Sequence, residues 1–433
     1  MNNLFIKKTI NLIDSKNCSV GIIGLGYVGL PLSILFVKNN FKIIGFDVDK
    51  KKIAKIKKND SYIERISNKD VGLINKKGKF YSNFSNISKC DIIVICVPTP
   101  LKNNYDPDLS FIKRTINSIK KFLKKGQVLI LESTSYPGTT KEEIYQKIKD
   151  KFKIGEEFFL GFSSERIDPG VNENSIQKIP KVVSGYSENC LKVISNFYSK
   201  SFNKIVESKS IEIAEFSKLL ENIYRSINIG FINEMKILAD KMKLDIFDVI
   251  EVANTKPYGF RRFFPGPGIG GHCIPVDPNY LYWKSVKIGL PARFIKLSAQ
   301  TNILVLNFIM KKILKNLKSK KISLNKSKVL ILGLSYKKNL DDIRESASVK
   351  LINKLFKKGV KNISVHDPYA EDKILIKKIQ KIKSLNSKVI KSFDIVVLMT
   401  DHDLFDYDLI KNYAKLIIDC RGRFKVNSNV QRG

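Results

Sequence analysis

The sequence predicts an α/β protein in which two doubly wound parallel sheets are joined by a helical middle region. Near the beginning of the chain, short continuous apolar runs alternate with helical patterns, and the same alternation returns after residue 327. Between these regions lie two long helical patterns, over about 210–255 and 293–318. Alternating strand and helix patterns favour parallel sheets that are covered by helices.

The first predicted sheet begins at 19–24, where an apolar run passes into a glycine turn. Residues 27–39 then predict a helix that is apolar on most of its faces. Further apolar runs bounded by turn residues predict three more strands of this sheet, at 41–47, 91–97 and 127–132.

The middle region carries a loop rich in glycine and proline, over 257–278, between its two helical patterns. A second unit of strand and glycine turn begins at 327–334, and strands are expected at 362–367, 393–399 and 416–419. The pattern therefore divides the chain into 1–208, 209–318 and 319–433.

The composition is strongly basic, with a formal net charge of +36. Because the lysines occur in short pairs along the whole chain, we interpret them as solvated surface and expect no nucleic-acid partner. A positive field would also steer an anionic substrate. Charge alone leaves one alternative, a non-enzymatic nucleotide or nucleic-acid binder, which salt-dependent DNA binding without turnover would favour.

The cysteine and histidine pattern predicts no metal site. The six cysteines are scattered without a Cys-x-x-Cys pair, and the chain has three histidines. Scattered thiols and an N-terminus without a signal-like core favour the reducing cytoplasm. No apolar run reaches the roughly 18 residues of a membrane span, so we expect no membrane partner.

A dinucleotide-binding loop is predicted at Gly24-x-Gly26-x-x-Gly29, between a strand and a helix. The first glycine permits a tight turn, the second lets the backbone approach a pyrophosphate, and the third allows close packing of helix and strand. Asp47 ends the next predicted strand, where an acid that binds ribose belongs in a Rossmann-like domain. A carboxylate there favours NAD over NADP, because it repels a 2′-phosphate.

A second reactive segment is the loop Pro265–Asp277, which carries Cys273 among four glycines and three prolines. These residues can hold the backbone in a fixed, non-helical path. A thiol presented in this way can form a covalent bond with a carbonyl carbon. Together with the dinucleotide loop, Cys273 predicts a dehydrogenase that captures its own aldehyde product on sulfur.

These segments resemble the UDP-glucose/GDP-mannose dehydrogenase family over nearly the whole chain. The resemblance rests on ordered motifs at 24–29, 97–100, 132–134, 162–166, 218–222, 265–277 and 336–346. The sequences of the segments 131–140, 264–275 and 400–403 most resemble the UDP-N-acetylglucosamine 6-dehydrogenase branch. Two departures are Ser164, where proline is usual, and Val171, where asparagine is usual.

The resemblance implies an NAD-dependent, four-electron oxidation of a sugar C6 hydroxyl to a carboxylate, with two NAD per turnover. Cys273 would carry thiohemiacetal and thioester intermediates. Lys218 and Asn222, one helical turn apart, would favour the thiolate and stabilise an oxyanion. Asp277 would orient water or the catalytic lysine, Glu165 would be the general base for thioester hydrolysis, and Thr134 would hold water or the C6 oxygen.

The resemblance also implies the binding residues. The expected cofactor-binding residues are Gly24, Gly26, Tyr27, Val28, Gly29, Asp47, Pro98, Thr99 and Ser133. The expected residues for the UDP-sugar are Arg166, Arg261, Arg262, Gly270, Lys337, Arg344 and Arg421. His272 directly precedes Cys273 and is not expected to act as a base.

The three regions would then be an NAD-binding domain, a central dimerisation domain and a UDP-sugar-binding domain. We expect a homodimer or higher homo-oligomer, in which Arg261 or Arg262 enters the neighbouring subunit's site. UDP-N-acetylgalactosamine, UDP-N-acetylmannosamine and UDP-glucose remain alternatives to UDP-N-acetylglucosamine. A two-electron dehydrogenase of the hydroxyacid type is a further alternative, which the count of NADH per sugar would distinguish. The pathway implied is the synthesis of surface polysaccharide.

Overall fold

The chain forms two units, each built around a parallel sheet. The computed structural model describes residues 4–63, 66–166, 173–271, 273–370 and 379–433. The first unit contains Met1–Glu221 and Asn279–Gly289, and the second contains Asn222–Pro278 and Leu290–Gly433. The predicted boundaries after residues 208 and 318 stay predictions.

The first unit contains an eight-stranded sheet in the order β3-β2-β1-β4-β5-β6-β7-β8. Its strands are β1 (Ser19–Ile23), β2 (Lys42–Phe46), β3 (Gly78–Tyr81), β4 (Ile92–Ile95), β5 (Val128–Leu131), β6 (Phe159–Phe162), β7 (Lys181–Gly185) and β8 (Ile205–Glu207). All neighbouring strands are parallel except β6 and β7, which pair antiparallel through Gly161 with Gly185 and Phe162 with Ser184. Every residue of β4, β5 and β6 is buried, as expected for central strands with both faces covered.

Helices surround this sheet and form its core with it. They are α1 (Leu4–Asp14), α2 (Gly29–Lys38), α3 (Lys50–Lys57), α4 (Asn68–Lys77), α5 (Ser110–Ile119), α6 (Gln146–Ile148), which continues a π-helical turn at Thr140–Tyr145, and α7 (Glu188–Ser199). Phe36 of α2 contacts Phe197 of α7, with ring centroids 5.0 Å apart, and Phe41 joins the same buried cluster. Two helices continue across the division between the units, α8 (Ile211–Lys241) and α10 (Asp277–Lys287).

The second unit contains a six-stranded sheet in the order β11-β10-β9-β12-β13-β14, with every neighbouring pair parallel. Its strands are β9 (Lys328–Leu332), β10 (Asn362–His366), β11 (Gln380–Lys381), β12 (Ile395–Leu398), β13 (Ile417–Asp419) and β14 (Val430–Arg432). The remaining helices are α9 (Ile246–Ala253), α11 (Arg293–Ser319), α12 (Ala347–Lys357), α13 (Ser387–Lys391) and α14 (Tyr407–Tyr413). The buried face of α11, including Ile309 and Ile313, packs in one core with β9 and α12.

The predicted fold class is confirmed, with two sheets that are parallel except for the β6–β7 pair and a helical region between them in sequence. The predicted strands lie where the apolar patterns indicated, and α11 covers the helical pattern at 293–318. The helical pattern at 210–255 forms two helices, α8 and α9. The inner strands β6 and β7 and the short outer strands β3, β8, β11 and β14 were not anticipated. None of the helices formed by the described residues combines the length and apolar character needed to cross a membrane.

The antiparallel pairing of β6 with β7 in the first sheet depends on Gly161. A Cβ atom there would lie 2.1 Å from the backbone oxygen of Ser184. We expect Gly161→Ala to lower the free energy of unfolding by about 1–3 kcal/mol in urea titrations, because backbone must move. The control is Gly72→Ala in α4, where the nearest atom would be 3.7 Å away; its stability should be equal or up to about 1 kcal/mol higher. Equal stabilities for both variants would contradict this account.

Candidate active site

The carboxyl ends of the parallel strands in the first sheet bring the predicted cofactor residues to one edge. The glycine loop follows β1, Asp47 follows β2, and the segment Val97–Thr99 comes just after β4. Ser133 and Thr134 follow β5, and Glu165 follows β6. The strand order therefore collects segments that are far apart in sequence.

The glycine loop has the geometry that the sequence predicted. Gly24 has φ of 92°, and its N–H donates to Phe46 O at 2.8 Å. A Cβ on Gly29, at the start of α2, would lie 1.9 Å from Gly24 O, so only glycine fits this turn. A Cβ on Gly26 would meet nothing within 4 Å. The backbone at Gly26 is thus open to a close ligand, as a pyrophosphate requires.

Asp47 is held beside this loop. One carboxylate oxygen accepts from the N–H of Leu25 at 2.9 Å, and the other accepts from the N–H of Asp49 at 2.9 Å. Lys52 Nζ lies 3.1 Å from the first oxygen. The arrangement fits a ribose-binding acid, and Lys52 is a nearby cation that the sequence analysis did not single out.

Two neighbouring loops at the same edge are tied together. The hydroxyl of Ser133 donates to Val97 O at 2.7 Å, and Thr99 is buried. Tyr27 is exposed, whereas Thr134 is half-buried. This bond links the end of β5 to the segment that contains Pro98 and Thr99.

Arg166 and Glu165 lie in the loop after β6. The guanidinium of Arg166 pairs with Glu221 at 2.6 Å and donates to Pro180 O at 3.0 Å. The Glu165 carboxylate accepts from the N–H of Arg166 at 2.6 Å. Its other oxygen lies 3.9 Å from the ammonium group of Lys181. Arg166 therefore fixes the loop to α8, a role that the sequence did not indicate.

A buried charge cluster beneath this loop was also missed. Lys181 Nζ lies 2.8 and 2.9 Å from the two carboxylate oxygens of Glu132. Tyr198 donates its hydroxyl proton to Glu132 at 2.6 Å. Lysine at the start of a strand usually faces solvent, so no sequence pattern distinguished Lys181 from the many other lysines.

A second buried carboxylate anchors α8. Glu215 accepts from the N–H groups of Gly138 at 2.6 Å and Thr140 at 2.9 Å, and from the Thr140 hydroxyl at 2.7 Å. Burial raises the pKa of Glu215 to about 7, although these bonds oppose the shift. Lys218 follows it by about one turn and is also buried. Among the residues that the structure describes, the Lys218 ammonium makes no hydrogen bond or ion pair.

In the second unit, α8 meets the Cys273 loop through a polar pair. Asn222 donates its amide to the carboxylate of Asp277 and accepts from Arg225. The backbone N–H of Asp277 donates to Cys273 O at 2.8 Å, which ties the start of α10 to the cysteine. The structure therefore brings together Asn222, Asp277 and Cys273, and their catalytic roles stay predictions.

The path of the Cys273 loop, Pro265–Asp277, is fixed at both ends. Gly266 donates its N–H to Asn233 at 2.9 Å and accepts from Lys236 Nζ at 3.3 Å, so both of its backbone polar groups bind α8. Burial lowers the pKa of Lys236 to about 8. At the other end, a Cβ on Gly270 would lie 2.5 Å from the side chain of Tyr336. Here the glycines serve close packing, and neither Asn233 nor Lys236 carried a recognisable signal in the sequence.

Cys273 differs from the other five cysteines, because it alone is not buried. Burial raises the pKa of Cys18 and Cys90 to about 12 and that of Cys420 to about 11. A raised pKa keeps a thiol protonated and inert. Its partial exposure thus favours Cys273 as the reactive thiol.

The carboxyl edge of the second sheet repeats the arrangement of the first. The Asp367 carboxylate accepts from the N–H of Leu334 at 2.6 Å, as Asp47 does from Leu25. His402 Nε2 lies 3.0 Å from the same Asp367 oxygen, and His402 Nδ1 accepts from the N–H of Asn339 at 2.9 Å. These bonds hold the loop that carries Lys337.

The predicted arginines of the second unit have separate surroundings. Arg344 pairs with Asp342 at 2.6 Å, and its carbonyl accepts from Gly271 N–H at 2.9 Å. Arg421 donates to Met399 O at 2.7 Å. Arg261 and Arg262 are exposed, and Arg262 pairs with Glu251 at 3.1 Å.

His272 and Val171 lie outside the described residues. Within the described ranges, no three or more His, Cys, Asp or Glu side chains gather as metal ligands do.

The fold and the open glycine loop are those of a dinucleotide-binding protein. Three sequence models of the UDP-glucose/GDP-mannose dehydrogenase family match the chain: the NAD binding domain at residues 18–202, the central domain at 212–303 and the UDP binding domain at 330–426. The chain belongs to this family and is an NAD-dependent oxidoreductase. The predicted family, enzyme class and use of NAD are confirmed.

Named relatives cover most of the chain. A UDP-N-acetyl-D-glucosamine 6-dehydrogenase of Pseudomonas aeruginosa is 34% identical over 82% of this chain and 85% of its own. A UDP-N-acetyl-D-mannosamine dehydrogenase of Methanocaldococcus jannaschii is 32% identical over 95% and 93%. A solved UDP-D-ManNAc dehydrogenase from Pyrococcus horikoshii is 28% identical, covers 94% of this chain and 96% of its own, and has a TM-score of 0.84.

The open backbone at Gly26 generates a test of cofactor binding. Gly26→Ala should leave the free energy of unfolding within about 0.5 kcal/mol of wild type, yet raise the Kd for NAD at least about tenfold, because the methyl group blocks the pyrophosphate. Gly29→Ala should lose both stability and binding. Fluorescence titration and urea unfolding measure the two effects. Wild-type affinity for NAD in Gly26→Ala would contradict this site.

Proposed function

We propose that the enzyme oxidises the C6 hydroxyl of a UDP-N-acetylhexosamine to the uronic acid, in four electrons and through Cys273. UDP-N-acetylglucosamine is the preferred substrate. The observation that carries the proposal is that Cys273 is the one cysteine that is not buried. Its loop is fixed to α8 through Gly266, and Asp277 links Cys273 to Asn222. Binding of two NAD in turn would supply the acceptors for the two hydrides that leave C6.

Cys273 divides the oxidation into two easier steps. Its thiolate adds to the C6 aldehyde, which gives a thiohemiacetal whose remaining C6 hydrogen leaves as the second hydride. The product is a thioester. Water then attacks the thioester carbon, the C–S bond breaks, and the thiolate and the uronic acid carboxylate are released.

Lys218 and Asn222 stabilise the charges that develop in these steps. A buried lysine that lacks an anionic partner has a strong preference for one, which a thiolate or an oxyanion at C6 would provide. The Asn222 amide is oriented by its bond to Asp277. Oriented donors of this kind are worth most where water is excluded.

Glu165 is the general base that removes a proton from the attacking water, and Thr134 holds that water or the C6 oxygen. Asp277 orients the donors beside Cys273 from the start of α10. A positioned base of this kind contributes about 10²–10⁴-fold to a rate. Arg166 contacts the sugar nucleotide from the same loop, in competition with its pair to Glu221.

The second sheet supplies the contacts to the UDP part of the substrate. Lys337 is carried on the loop that His402 and Asp367 hold. Arg344 and Gly270 lie where the cysteine loop packs on the Tyr336 segment, and Arg421 lies beside Gly266. A cation in these positions would pair with a diphosphate.

UDP-N-acetylglucosamine is proposed because the motifs at 131–140, 264–275 and 400–403 resemble that branch of the family, and because the P. aeruginosa relative is named for this substrate. The M. jannaschii relative keeps UDP-N-acetylmannosamine as the second candidate. UDP-N-acetylgalactosamine and UDP-glucose complete the panel that purified enzyme should be offered, with NADH release as the readout.

The stoichiometry of NADH tests the covalent route. Wild type should release two NADH per UDP-sugar consumed, whereas Cys273→Ser should fail to complete the second oxidation, since a hydroxyl is a far weaker nucleophile than a thiolate. Cys90→Ser, a change to a buried thiol outside the loop, is the control and should retain two. Release of two NADH at the wild-type rate by Cys273→Ser would remove Cys273 from the mechanism.

We further propose that the active enzyme is a homodimer. The second unit exposes apolar side chains on three helices, among them Phe231 of α8, Val252 of α9 and Ile303 of α11. Such a surface is typical of a protein interface. Because Arg262 pairs with Glu251, Arg261 is the better candidate to enter the neighbouring subunit's site.

Subunit mixing tests the arginine in trans. Cys273→Ala and the double variant Arg261→Ala/Arg262→Ala should each be inactive alone, but hybrid dimers formed by subunit exchange should regain part of the activity. Hybrids confirmed by mass spectrometry that remain inactive would exclude the arginine in trans. A fully active monomer at nanomolar concentration would exclude the dimer itself.

A further inference from the structure

Glu132, Lys181 and Tyr198 form a deeply buried cluster of ionisable groups that the proposed chemistry does not use. Their exposed fractions are 1%, 3% and 0%. The Lys181 ammonium lies between the Glu132 carboxylate, at 2.8 and 2.9 Å, and the rings of Tyr198 and Phe202, each with its centroid 5.2 Å away. The cation is therefore held from several sides.

Stability alone does not explain such a cluster. Removing two ions from water costs several kcal/mol per ion, and apolar side chains of similar volume often serve equally well. Although burial lowers it, attraction to Glu132 and Glu165 raises the pKa of Lys181 above its ordinary value. Lys181 therefore keeps its charge inside the protein.

The position of Lys181 follows from the one antiparallel pair of the first sheet. Because β7 runs back along β6, the start of β7 lies beside the loop that leaves the end of β6. Lys181 Nζ donates to Ser164 O at 3.3 Å and lies 3.9 Å from the buried Oε2 of Glu165. The cluster thus reaches both the backbone of the loop and its carboxylate.

We propose that Lys181, fixed by Glu132 and Tyr198, is a positioning residue for Glu165 in thioester hydrolysis. This inference rests on the proposed function of Glu165. The bond to Ser164 O fixes the loop, and the ammonium gives the carboxylate a fixed counter-charge. At 3.9 Å the ammonium does not donate a hydrogen bond to that oxygen, so it orients the carboxylate without occupying the lone pair that would accept the proton of the attacking water.

The main variant is Glu132→Gln/Lys181→Met, which removes both charges of the buried pair together, so that Glu132 is not left as a buried carboxylate without its ammonium partner. Rapid mixing with UDP-sugar and excess NAD should retain the first-turnover burst of two NADH per site. The steady-state rate should fall at least about tenfold, since hydrolysis loses its positioned base. Intact-protein mass spectrometry should show an acyl adduct on Cys273 accumulating. The control is Lys125→Met, which removes a surface ion pair with Glu157 and should behave as wild type.

Two kinetic results would overturn the inference: a wild-type steady-state rate in the double variant, or an equal loss of burst and steady-state rate, which indicates a purely structural role. Glu165→Gln, measured alongside, tests the proposed function separately, because wild-type hydrolysis in that variant would remove Glu165 as the base. Amide hydrogen exchange of peptides that cover 163–166 needs no turnover. Faster exchange in the double variant than in Lys125→Met supports the inference, and unchanged exchange overturns it whatever the activity.

Discussion

The parallel pairing of β1, β2, β4, β5 and β6 is the constraint on which the first unit depends. Parallel strands end at one edge of their sheet, so the glycine loop, Asp47 and the loops after β4, β5 and β6 meet there. The chain reverses only between β6 and β7, and that reversal places Lys181 against the loop of Glu165. In the second sheet, the same rule brings together the segments after β9, β10 and β12, which carry Leu334, Asp367 and His402.

Much of this fold could be predicted, because central strands that are buried on both faces must be apolar throughout. The runs that became β1, β4, β5, β9 and β12 carry that signal without ambiguity. The outer strands β3, β8, β11 and β14 have two to four residues. So short a segment shows no period, and its pairing is decided by the strand beside it.

The candidate site, like the fold, could be predicted only in part from the sequence. The spacing of Gly24, Gly26 and Gly29 is set by local backbone geometry, and it could be recognised in the sequence. Asn222 and Cys273 were found through motifs, but the bond of Asn222 to Asp277 and the hold of Asn233 and Lys236 on Gly266 depend on tertiary packing. Lys181 could not be found at all, since one lysine among the many of this basic chain is distinguished only by its burial.

The central claim is that oxidation passes through a covalent bond between C6 and the sulfur of Cys273. The most direct measurement is a rapid-quench single turnover with UDP-N-acetylglucosamine labelled with ¹³C at C6, followed by peptide mass spectrometry. Our account predicts that the label appears transiently as an acyl group on the peptide that contains Cys273, before it appears in the free uronic acid. Label that passes to the uronic acid without ever being attached to the protein, or that is attached to another residue, would contradict it.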